Sequence, residues 1–524
     1  MLALGCFYLI PPTTAGAQLP GGVPVSVYLT DPGLVRAALS PEPDVVLSPD
    51  PLPRSVRLIG VNDSTHYQSI IGFGAAMTDT SAWLIGTQLT PTQQQTLLNE
   101  LFSPTSGIGL NFVNLPIGGS DFTATGDPYT YDDLAPGETD PTLQDFSIAH
   151  DQPYVIPVLQ QMLLTNPGID LFASDWTAPA WMKGNDAFDS IGSASGLLPE
   201  YARTFGNYLA DFIEAYQSDG IPIWALSPQN EPDGHFPYPG MYLTGAEEAN
   251  LIRWDIAPAF AQDGIHTRIY ASATDYTDQD FSADVVQSAA GQLVSGAAWH
   301  CYAGLHSISQ FHSMLPSAQN LVTECANYLT PYSPAEAAID ALRNWASTFS
   351  LWNVAVDQND GPVNPNSNCL HCGGLVTVDD GQTSEPNPTL NRSYYQLGQF
   401  SAFIQRGAVR IETPRWVHDL ASTASGTSGV SAGLDNVAFV NPDGTRVLVV
   451  YNNSYDPGTF GVQWHSLQFR YSLRAGAIVT FVWQGAKPAQ PSACLNASVT
   501  YRTATSAFRG ERTLQSEPDC GASR

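Results

Sequence analysis

Apolar residues recur along the chain in two patterns. Between about residues 70 and 357, short apolar runs alternate with segments of helical spacing, such as PEYARTFGNYLADFIEAY. Continuous apolar runs are typical of strands that are buried on both faces, as in a parallel sheet. Eight such runs, most of them followed by a helix, predict a (β/α)8 barrel, an α/β fold. The runs are IIGFGAAMT, NFVNLPIG, IDLFASDWT, IPIWALSPQNEP, RIYASATD, GAAWHCY, NLVTECA and FSLWNVAVD.

Both ends of the chain show the second pattern, in which apolar and polar residues alternate as in half-buried strands. VPVSVYLT, DVVLSP and RSVRLIGV precede the barrel, and AVRIET, NVAFVNPDGTRVLVVYNN and SLRAGAIVTFVW follow it. Since the first three have no place in the barrel, we expect them to join the C-terminal strands in a side β-domain, a β-sandwich. The predicted organisation is a signal segment at 1–17, N-terminal strands at 23–65, the barrel at 66–407, C-terminal strands at 408–485 and a polar tail at 486–524.

The chain is strongly acidic, with 20 Lys and Arg against 49 Asp and Glu and a formal net charge of −29. Such a surface repels phosphate, which argues against nucleic acid as a partner. No stretch approaches the roughly 20 consecutive apolar residues of a membrane span, so we expect no integral membrane segment. The first residues, MLALGCFYLIPPTTAGA, resemble a secretory signal cleaved near Ala17, without the usual Lys or Arg at the start. We therefore expect a secreted protein.

The cysteines fit an exported protein. Cys369 and Cys372 form a Cys-x-x-Cys motif, which can be redox-active or half of a zinc site. No second pair follows at zinc spacing, and the surrounding NSNCLHCGGL is a loop, so we predict a structural disulfide. Of the others, two bracket the polar tail and are candidates for a second bridge, and two lie in apolar runs and are expected to be buried thiols: Cys494 and Cys520, and Cys301 and Cys325.

The ends of the predicted strands carry the candidate chemistry, because catalytic groups of a parallel barrel lie at the C-terminal ends of its strands. Two glutamates stand there, Glu231 in SPQNEP and Glu324 in VTEC. Cleavage of a glycosidic bond needs two carboxyls, one to protonate the leaving oxygen and one to attack the anomeric carbon. Amide, aromatic and histidine side chains beside them can hold a sugar. These further candidates are Asp121, Trp176, Asn230, His300, Tyr302, Trp352 and Asn353.

Several of these residues also have a purely structural interpretation. Trp176 and Trp352 can fill the core, and His300 can be a core histidine whose hydrogen bonds are satisfied. Glu324 lies among apolar neighbours, where an uncompensated charge is costly unless the site uses it. An Asn directly before Glu231 favours the functional interpretation, since its amide can hold a sugar hydroxyl beside the acid. No pair of histidines at ligand spacing accompanies a carboxylate near the strand ends, so we expect no metal and no cofactor.

The sequence resembles a known family. The stretches IIGFGAAMTDTSAWL, LPIGGSDF, YTYDD, FASDWTAPAWMK, SPQNEP, AWHCY, VTEC and LWNVAVD stand in the order found in glycoside hydrolase family 30. The resemblance is closest to its glucosylceramidase-like branch and covers about residues 23–483. It implies a (β/α)8 barrel with a side β-domain built from both chain ends, and hydrolysis of β-glycosides with retention of configuration.

The resemblance also assigns roles. Glu231 matches the acid/base after strand four, and Glu324 matches the nucleophile after strand seven. We therefore expect a raised pKa for Glu231 and an ionised Glu324. Among the other candidates, Asp121, Trp176, Asn230 and Trp352 resemble sugar-binding residues, whereas His300 and Tyr302 resemble the groups around the nucleophile.

Two positions depart from the family's pattern. Asp175 stands where the family usually has Pro, and Asn114 stands where it usually has Arg. Alternation along the strand places Asn114 in the barrel interior, beneath the site. Both departures lie in the surroundings of the catalytic pair. The resemblance therefore predicts the rate and the specificity less securely than it predicts the fold.

The preferred interpretation is a retaining β-glucosidase of glucosylceramidase type, whose partner is a glycolipid or oligosaccharide substrate. Motifs shared by the whole family do not choose among its activities, so an endo-β-1,6-glucanase, a β-xylosidase and a β-fucosidase remain alternatives. A carbohydrate-binding barrel without catalysis is a remote alternative because of Asn114, although the presence of both glutamates argues against it. The oligomeric state stays open.

Overall fold

The computed structural model describes residues 22–275, 279–302, 306–326, 333–380, 387–414 and 433–485. The predicted signal segment and polar tail lie outside the described residues, as do Cys494 and Cys520. Within the described residues, no helix combines the length and the apolar character needed to cross a membrane.

A closed barrel of eight parallel strands occupies the middle of the described chain. Three strands precede it: β1 (Val23–Thr30), β2 (Ser40–Leu47) and β3 (Arg57–Ser69). The barrel strands then follow in chain order: β4 (Gly72–Ala75), β5 (Phe112–Ile117), β6 (Asp170–Asp175), β7 (Ala225–Ser227), β8 (Arg268–Asp275), β9 (Val294–His300), β10 (Gln319–Glu324) and β11 (Thr348–Leu351). Each overlaps one of the eight apolar runs, and β11 pairs with β4 to close the ring. The predicted barrel is confirmed.

The last apolar run contains more than one strand. Its second half forms β12 (Ala355–Val356), which joins β13 (Val376–Thr377) and β14 (Thr389–Leu390) in a small three-stranded sheet. The long loop between β12 and β13 therefore returns over the C-terminal end of the barrel, where it meets the site.

Helices connect most of the barrel strands. They are α1 (Asp79–Trp83), α2 (Pro91–Phe102), α3 (Val155–Thr165), α4 (Ala202–Ser218), α5 (Gly245–Leu251), α6 (Ala257–Asp263), α7 (Gln279–Gln287), α8 (His306–Met314), α9 (Pro334–Arg343) and α10 (Arg392–Ser401). A π-helical segment, Ile252–Ile256, interrupts the helical stretch between α5 and α6. Pro258 follows it in the first turn of α6, and the missing N–H of proline explains why the hydrogen-bond ladder is reset there.

The barrel has an apolar lower interior and a polar upper interior. A cluster from six different strands fills the lower part: Phe112, Phe172, Ala225, Tyr270, Ala298 and Leu321. Two residues further along β5, the alternation of the strand brings Asn114 to the same inner face, as predicted. Above the apolar layer, the strand ends supply the polar residues of the site.

The side β-domain uses both ends of the described chain. Its C-terminal strands are β15 (Val409–Glu412), β16 (Leu434–Val440), β17 (Thr445–Asn452), β18 (Gly458–Trp464), β19 (Leu467–Leu473) and β20 (Ile478–Gln484). With the first three strands they form one sheet in the order β19-β18-β3-β15-β16-β17-β20-β1-β2. Ser48, beyond β2, exchanges two backbone hydrogen bonds with Gln468 of β19, so the sheet curls back on itself around an apolar core. The predicted joining of both chain ends is confirmed.

Candidate active site

Two glutamates meet at the C-terminal end of the barrel. Glu324 ends β10, and Glu231 follows β7 in a short loop. His300 ends the strand β9. One oxygen of each carboxyl and the Nδ1 atom of His300 all lie within 4.8 Å of one another. Glu231 has a backbone φ of 44°, a left-handed conformation that a non-glycine residue rarely adopts. The loop after β7 therefore holds this side chain in a defined direction at some conformational cost.

His300 and Tyr302 surround the pair. The Nδ1 atom of His300 lies 2.8 Å from Glu231 Oε1 and 3.6 Å from Glu324 Oε1. The hydroxyl of Tyr302 donates a hydrogen bond of 2.7 Å to Glu324 Oε1. The second oxygen, Glu324 Oε2, is buried and makes no hydrogen bond with any described residue. One carboxyl oxygen of Glu324 is thus held by a hydrogen-bond donor, and the other is available to a substrate.

Burial and neighbouring charges act in opposite directions on Glu324. Burial raises the pKa of Glu324 to about 8, although His300 opposes this shift; the negative charge of Glu231 adds to the rise, and the Tyr302 hydrogen bond opposes it. Burial therefore opposes the charged form of Glu324, and the expectation that Glu324 is ionised stays a prediction. The sequence showed the acidic pair, but not how completely Glu324 is withdrawn from water, with 8% of its side chain exposed.

Asp121 lies in the same pocket and is held by the long loop after β12. The Ser367 hydroxyl donates a hydrogen bond of 2.5 Å to Asp121 Oδ2, and the backbone N–H of Asn364 donates to the Asp121 carbonyl at 2.7 Å. Burial raises the pKa of Asp121 to about 7, while the Ser367 hydrogen bond opposes this shift and the charge of Glu231 adds to it. The negative charges of Asp121, Glu231 and Glu324 are thus close enough to affect the pKa of a neighbouring carboxyl.

The two amide candidates carry polar atoms without a described partner. Asn230 Oδ1 and Asn353 Nδ2 are buried and make no hydrogen bond with a described residue. The other end of the Asn353 amide is fixed, because its Oδ1 accepts from the Thr78 hydroxyl at 3.0 Å. Buried polar atoms are normally satisfied, so these two are suited to hydroxyl groups of a ligand.

The two candidate tryptophans pack in a small core that Tyr302 also contacts. The rings of Trp176 and Trp352 stack with their centroids 5.2 Å apart, and Phe122 packs edge-on against Trp352. Each tryptophan is only 2% exposed. The rings therefore fill a small core, as the structural interpretation predicts. The contact of this core with Tyr302 also agrees with a role near the site.

Tyr238 and Ser367 belong to the site and were missed by the sequence analysis. The phenol of Tyr238 interacts with the carboxyls of Glu231, Asp121 and Glu324, and burial raises its pKa well above the usual range. Its position seven residues after Glu231, in the loop that follows a barrel strand, was an available signal. Ser367 had no comparable signal, because it reaches Asp121 only through the fold of the long loop after β12.

The two departures from the family pattern lie close to this site. Asn114 Nδ2 donates to the backbone carbonyl of Thr323, next to Glu324, at 3.3 Å, and its buried Oδ1 makes no hydrogen bond with a described residue. The backbone carbonyl of Asp175 accepts from Asn230 N–H at 2.6 Å. Asn114 thus contacts the residue before Glu324, and Asp175 contacts Asn230 directly.

The Asp175 side chain is fully buried, and burial raises its pKa well above the usual range while Lys183 opposes the shift. Burial also lowers the pKa of Lys183 to about 7, opposed by the charges of Asp189 and Asp175. Five acceptors lie within hydrogen-bond distance of the three N–H donors of Lys183 Nζ: the Thr177 hydroxyl and four backbone carbonyls, including that of Gly240 at 2.6 Å. This network ties the loop after β6 to the loop after β7.

The disulfides correct one prediction and confirm another. Cys301 and Cys325 form a disulfide, with their Cα atoms 5.3 Å apart, so the prediction of two buried thiols is wrong. Each cysteine directly follows one of the adjacent strands β9 and β10, and this neighbourhood was not visible in the apolar runs alone. The bridge joins the strand ends that carry His300 and Glu324. The predicted Cys369–Cys372 disulfide is present, with a Cα–Cα distance of 5.1 Å.

Comparison with known sequences agrees with this architecture. Residues 70–404 match the sequence model of the glycosyl hydrolase family 30 TIM-barrel domain, and residues 407–481 match that of the family's beta sandwich domain. The chain belongs to glycoside hydrolase family 30. It is therefore a glycosidase, and the predicted family, fold class and enzyme class are confirmed.

Relatives within family 30 cover most of the chain. The endo-1,6-beta-D-glucanase neg1 of Aspergillus fumigatus is 34% identical over 448 residues, which are 82% of this chain and 84% of that protein. The lysosomal acid glucosylceramidase of Mus musculus is 28% identical over 456 residues, 82% of this chain and 83% of that protein. Among solved structures, the endo-beta1,6-glucanase BT3312 aligns with a TM-score of 0.74 and 26% identity, covering 88% of this chain and 100% of that one.

The described part of this family 30 chain contains two places where three possible metal-ligating atoms lie within 4.8 Å of one another. One is the active-site cluster, which we define as Glu231, His300 and Glu324. The other, the Asp79 cluster, consists of Asp79, His150 and Asp151. Asp79 precedes the adjacent His150 and Asp151 by about 70 residues, so the sequence analysis gave no indication of this cluster.

Proposed function

We propose that this protein hydrolyses β-1,6-glucosidic bonds of a glucan and retains the configuration at the anomeric carbon, with Glu231 as acid/base and Glu324 as nucleophile. The observation that carries the mechanism is that one carboxyl oxygen of Glu231 lies within 4.8 Å of one carboxyl oxygen of Glu324. Retaining glycosidases hold their carboxyl groups about 5–5.5 Å apart, whereas inverting enzymes leave room for a water molecule at about 6.5–9.5 Å.

The proposed reaction has two displacements. In the first, Glu324 attacks the anomeric carbon while Glu231 gives its proton to the leaving oxygen, and a glycosyl-enzyme ester forms. In the second, Glu231 takes a proton from water, which attacks the same carbon and releases Glu324. Two inversions at one carbon give net retention.

The reactive form needs the proton on Glu231 and the charge on Glu324. His300 Nδ1 contacts both carboxyls, and the Tyr302 hydrogen bond favours the charged form of Glu324. Burial raises the pKa of Glu324 and so opposes its charged form. The reaction therefore requires His300 and Tyr302 to outweigh this effect, with a proton on Glu231, when the substrate is bound.

Binding roles follow from the remaining contacts. We assign sugar hydroxyls to Asn230 Oδ1 and Asn353 Nδ2, which are buried without a described partner. The Asp121 carboxyl, held by Ser367, can accept a hydrogen bond from a further hydroxyl. We assign the apolar side of the sugar-binding site to Trp176 and Trp352, because the core that they form packs against Tyr302. All these contacts concern a neutral sugar, which suits a strongly acidic protein.

The relatives support β-1,6-glucan over glucosylceramide as substrate. Three curated endo-1,6-beta-D-glucanases are 34% identical to this chain, whereas the glucosylceramidases are 26–28% identical over a similar length. We therefore prefer the activity that the sequence analysis kept as its first alternative. A polymeric glucan outside the cell also agrees with the predicted secretion.

The test combines specificity with stereochemistry. Purified protein is compared on linear β-1,6-glucan, β-1,3-glucan, xylan and glucosylceramide at equal concentrations of cleavable bonds, and proton NMR follows the first sugar released. We expect the highest kcat/KM on β-1,6-glucan and the β-anomer as first product. Faster cleavage of glucosylceramide would contradict the proposed substrate, and first release of the α-anomer would contradict the proposed mechanism.

A further inference from the structure

The loop after β7 holds Glu231 in a strained backbone conformation. Its φ of 44° persists only when the surrounding structure determines it. The strand itself gives limited support, because β7 has three residues, of which Ala225 and Leu226 pair with β8. The backbone groups that follow the strand therefore need partners outside this ladder.

Two backbone hydrogen bonds fix the residues before Glu231. The N–H of Asn230 donates to the carbonyl of Asp175, at the end of β6, at 2.6 Å. The N–H of Gln229 donates to the side-chain hydroxyl of Ser272, in β8, at 3.0 Å. The contact with β6 joins two main chains. The contact with β8 instead uses a side chain, whose own orientation must be fixed.

Glu248 of α5 supports Ser272. Its Oε1 accepts a hydrogen bond of 2.9 Å from the backbone N–H of Ser272, and both residues are fully buried. The N–H and the hydroxyl of Ser272 both lower the pKa of the Glu248 carboxyl, as hydrogen-bond donors do. Because the hydroxyl oxygen accepts from Gln229, its own hydrogen can face this carboxyl. A series of contacts thus runs from Glu248 through Ser272 to Gln229.

A buried carboxyl is a costly way to join α5 to β8. Burial raises the pKa of Glu248 to about 7, and the two donors of Ser272 oppose this shift. Its Oε2 is buried and makes no hydrogen bond with a described residue. An apolar side chain would pack between the helix and the strand without this cost. The carboxyl is therefore explained by the acceptor that Ser272 needs.

The start of α5 also contacts the loop directly. Leu243, two residues before the helix, donates its N–H to the carbonyl of Pro232 at 2.8 Å, and Pro232 follows Glu231. A capping box fixes this end of the helix, and Glu248 lies in its first turn. The helix start therefore supports the loop on both sides of Glu231, after it through Pro232 and before it through Ser272.

We propose, on the basis of the acid/base role proposed for Glu231, that Glu248 is a positioning residue for that acid/base. Through Ser272 and the backbone of Gln229, it holds the Glu231 carboxyl where the leaving oxygen receives its proton. The nucleophile Glu324 lies on another strand, β10. Loss of Glu248 should therefore impair proton transfer to the leaving group and spare the attack on the anomeric carbon.

Substrates with different leaving groups separate these two steps. Phenyl β-glucoside needs a proton on its leaving oxygen, whereas dinitrophenyl β-glucoside does not. Glu248→Met removes the acceptor and keeps a side chain of similar length. We expect the rate of enzyme glycosylation to fall about ten- to a hundredfold on the phenyl substrate, because a misplaced catalytic group loses that much. On the dinitrophenyl substrate it should stay within about threefold of the wild-type rate.

Two further variants make the measurement specific. Ser272→Ala interrupts the same series of contacts by a smaller change, and it should show the same dependence on the leaving group even if Glu248→Met does not fold. Glu100→Met is the matched control, because Glu100 is a half-buried glutamate of another barrel helix, α2, which interacts with Tyr394 and Tyr395 of α10. It should leave the ratio of the two rates unchanged.

Glu231→Gln separates this proposal from the proposed function. It should show a stronger dependence on the leaving group than Glu248→Met. Absence of that dependence in Glu231→Gln would overturn the acid/base role itself. If Glu231→Gln shows it, but Glu248→Met and Ser272→Ala change both rates equally or not at all, the contacts of Glu248 only stabilise the fold and the positioning role is overturned.

Discussion

The active-site cluster and the Asp79 cluster have the same composition, two carboxylates and one histidine, but different hydrogen-bond donors. In the Asp79 cluster, three tyrosine hydroxyls donate to Asp151: Tyr129, Tyr131 and Tyr216, at 3.2, 2.7 and 2.5 Å. In the active-site cluster, Tyr302 donates to one oxygen of Glu324, and the other oxygen makes no hydrogen bond with a described residue. A carboxylate that braces the fold is surrounded by donors, whereas one that reacts keeps an oxygen uncommitted.

The largest effect expected from this contrast is on catalysis. Glu324→Gln removes the proposed nucleophile and should lower kcat on β-1,6-glucan by a factor on the order of 10⁴ or more. Asp151→Asn alters the same type of side chain in the Asp79 cluster and should leave kcat of the folded protein nearly unchanged. Steady-state kinetics at a temperature where both variants are folded makes the comparison.

The role of Glu231 is tested with an activated substrate. Glu231→Gln should lose most activity on glucan, but should retain much of its rate of enzyme glycosylation on a dinitrophenyl β-glucoside, since this leaving group needs no proton. A stopped-flow measurement of the dinitrophenol burst shows that step. Equal losses for Glu231→Gln and Glu324→Gln with this substrate would mean that the two roles are wrongly assigned.

The second effect, on stability, should appear in the Asp79 cluster. Tyr216→Phe removes a hydroxyl that donates to the buried Asp151 carboxylate, and hydrogen bonds to charged groups contribute about 1.5–3 kcal/mol. We expect a decrease of that size in the free energy of unfolding, measured by urea denaturation. Tyr455→Phe is the control, because Tyr455 is 96% exposed and the same change should have no effect. An unchanged stability of Tyr216→Phe would show that the tyrosine donors do not brace Asp151.

The sequence predicted the fold and the candidate pair because both depend on local patterns. Apolar runs gave the barrel strands, alternation gave the β-domain strands, and Asn230 followed by Glu231 marked a strand end with chemistry. The predicted acid/base and nucleophile roles remain proposals. The predicted domain boundaries also remain predictions.

What the sequence did not predict depends on residues brought together from distant segments. The Cys301–Cys325 bridge needs the register of two parallel strands, and the contact of Ser367 with Asp121 needs a long loop to fold back. The high pKa of Glu324 needs the depth of the pocket. None of these three features can be recognised from the residues next to it in the sequence.

The third effect is on pH dependence. It is tested by replacing a tyrosine with phenylalanine in each of the two clusters. The Tyr302 hydrogen bond lowers the pKa of Glu324, which burial raises to about 8, so Tyr302→Phe should raise the proton affinity of the pair further. The alkaline limb of kcat/KM, where the pair loses its last proton, should then move to higher pH by about one unit, which corresponds to about 1.4 kcal/mol. Tyr216→Phe should leave the limb unchanged. A limb that stays in place in Tyr302→Phe would show that Tyr302 does not stabilise the anion.

The smallest effect is expected at Asn114, where the chain lacks the family's usual arginine. Asn114 contacts the carbonyl next to Glu324 from inside the barrel, so Asn114→Arg would bring a cation close to the pair. A nearby positive charge lowers carboxyl pKa values, and both limbs of the pH profile should therefore move to lower pH, by less than about one unit if solvent or Asp121 shares the charge. The larger side chain should also cost about 1–3 kcal/mol of stability through overpacking. Asn114→Met controls for size without charge and should show the stability loss with unmoved limbs. If the limbs also stay in place in Asn114→Arg, Asn114 does not couple to the catalytic pair and its contact with Thr323 is structural.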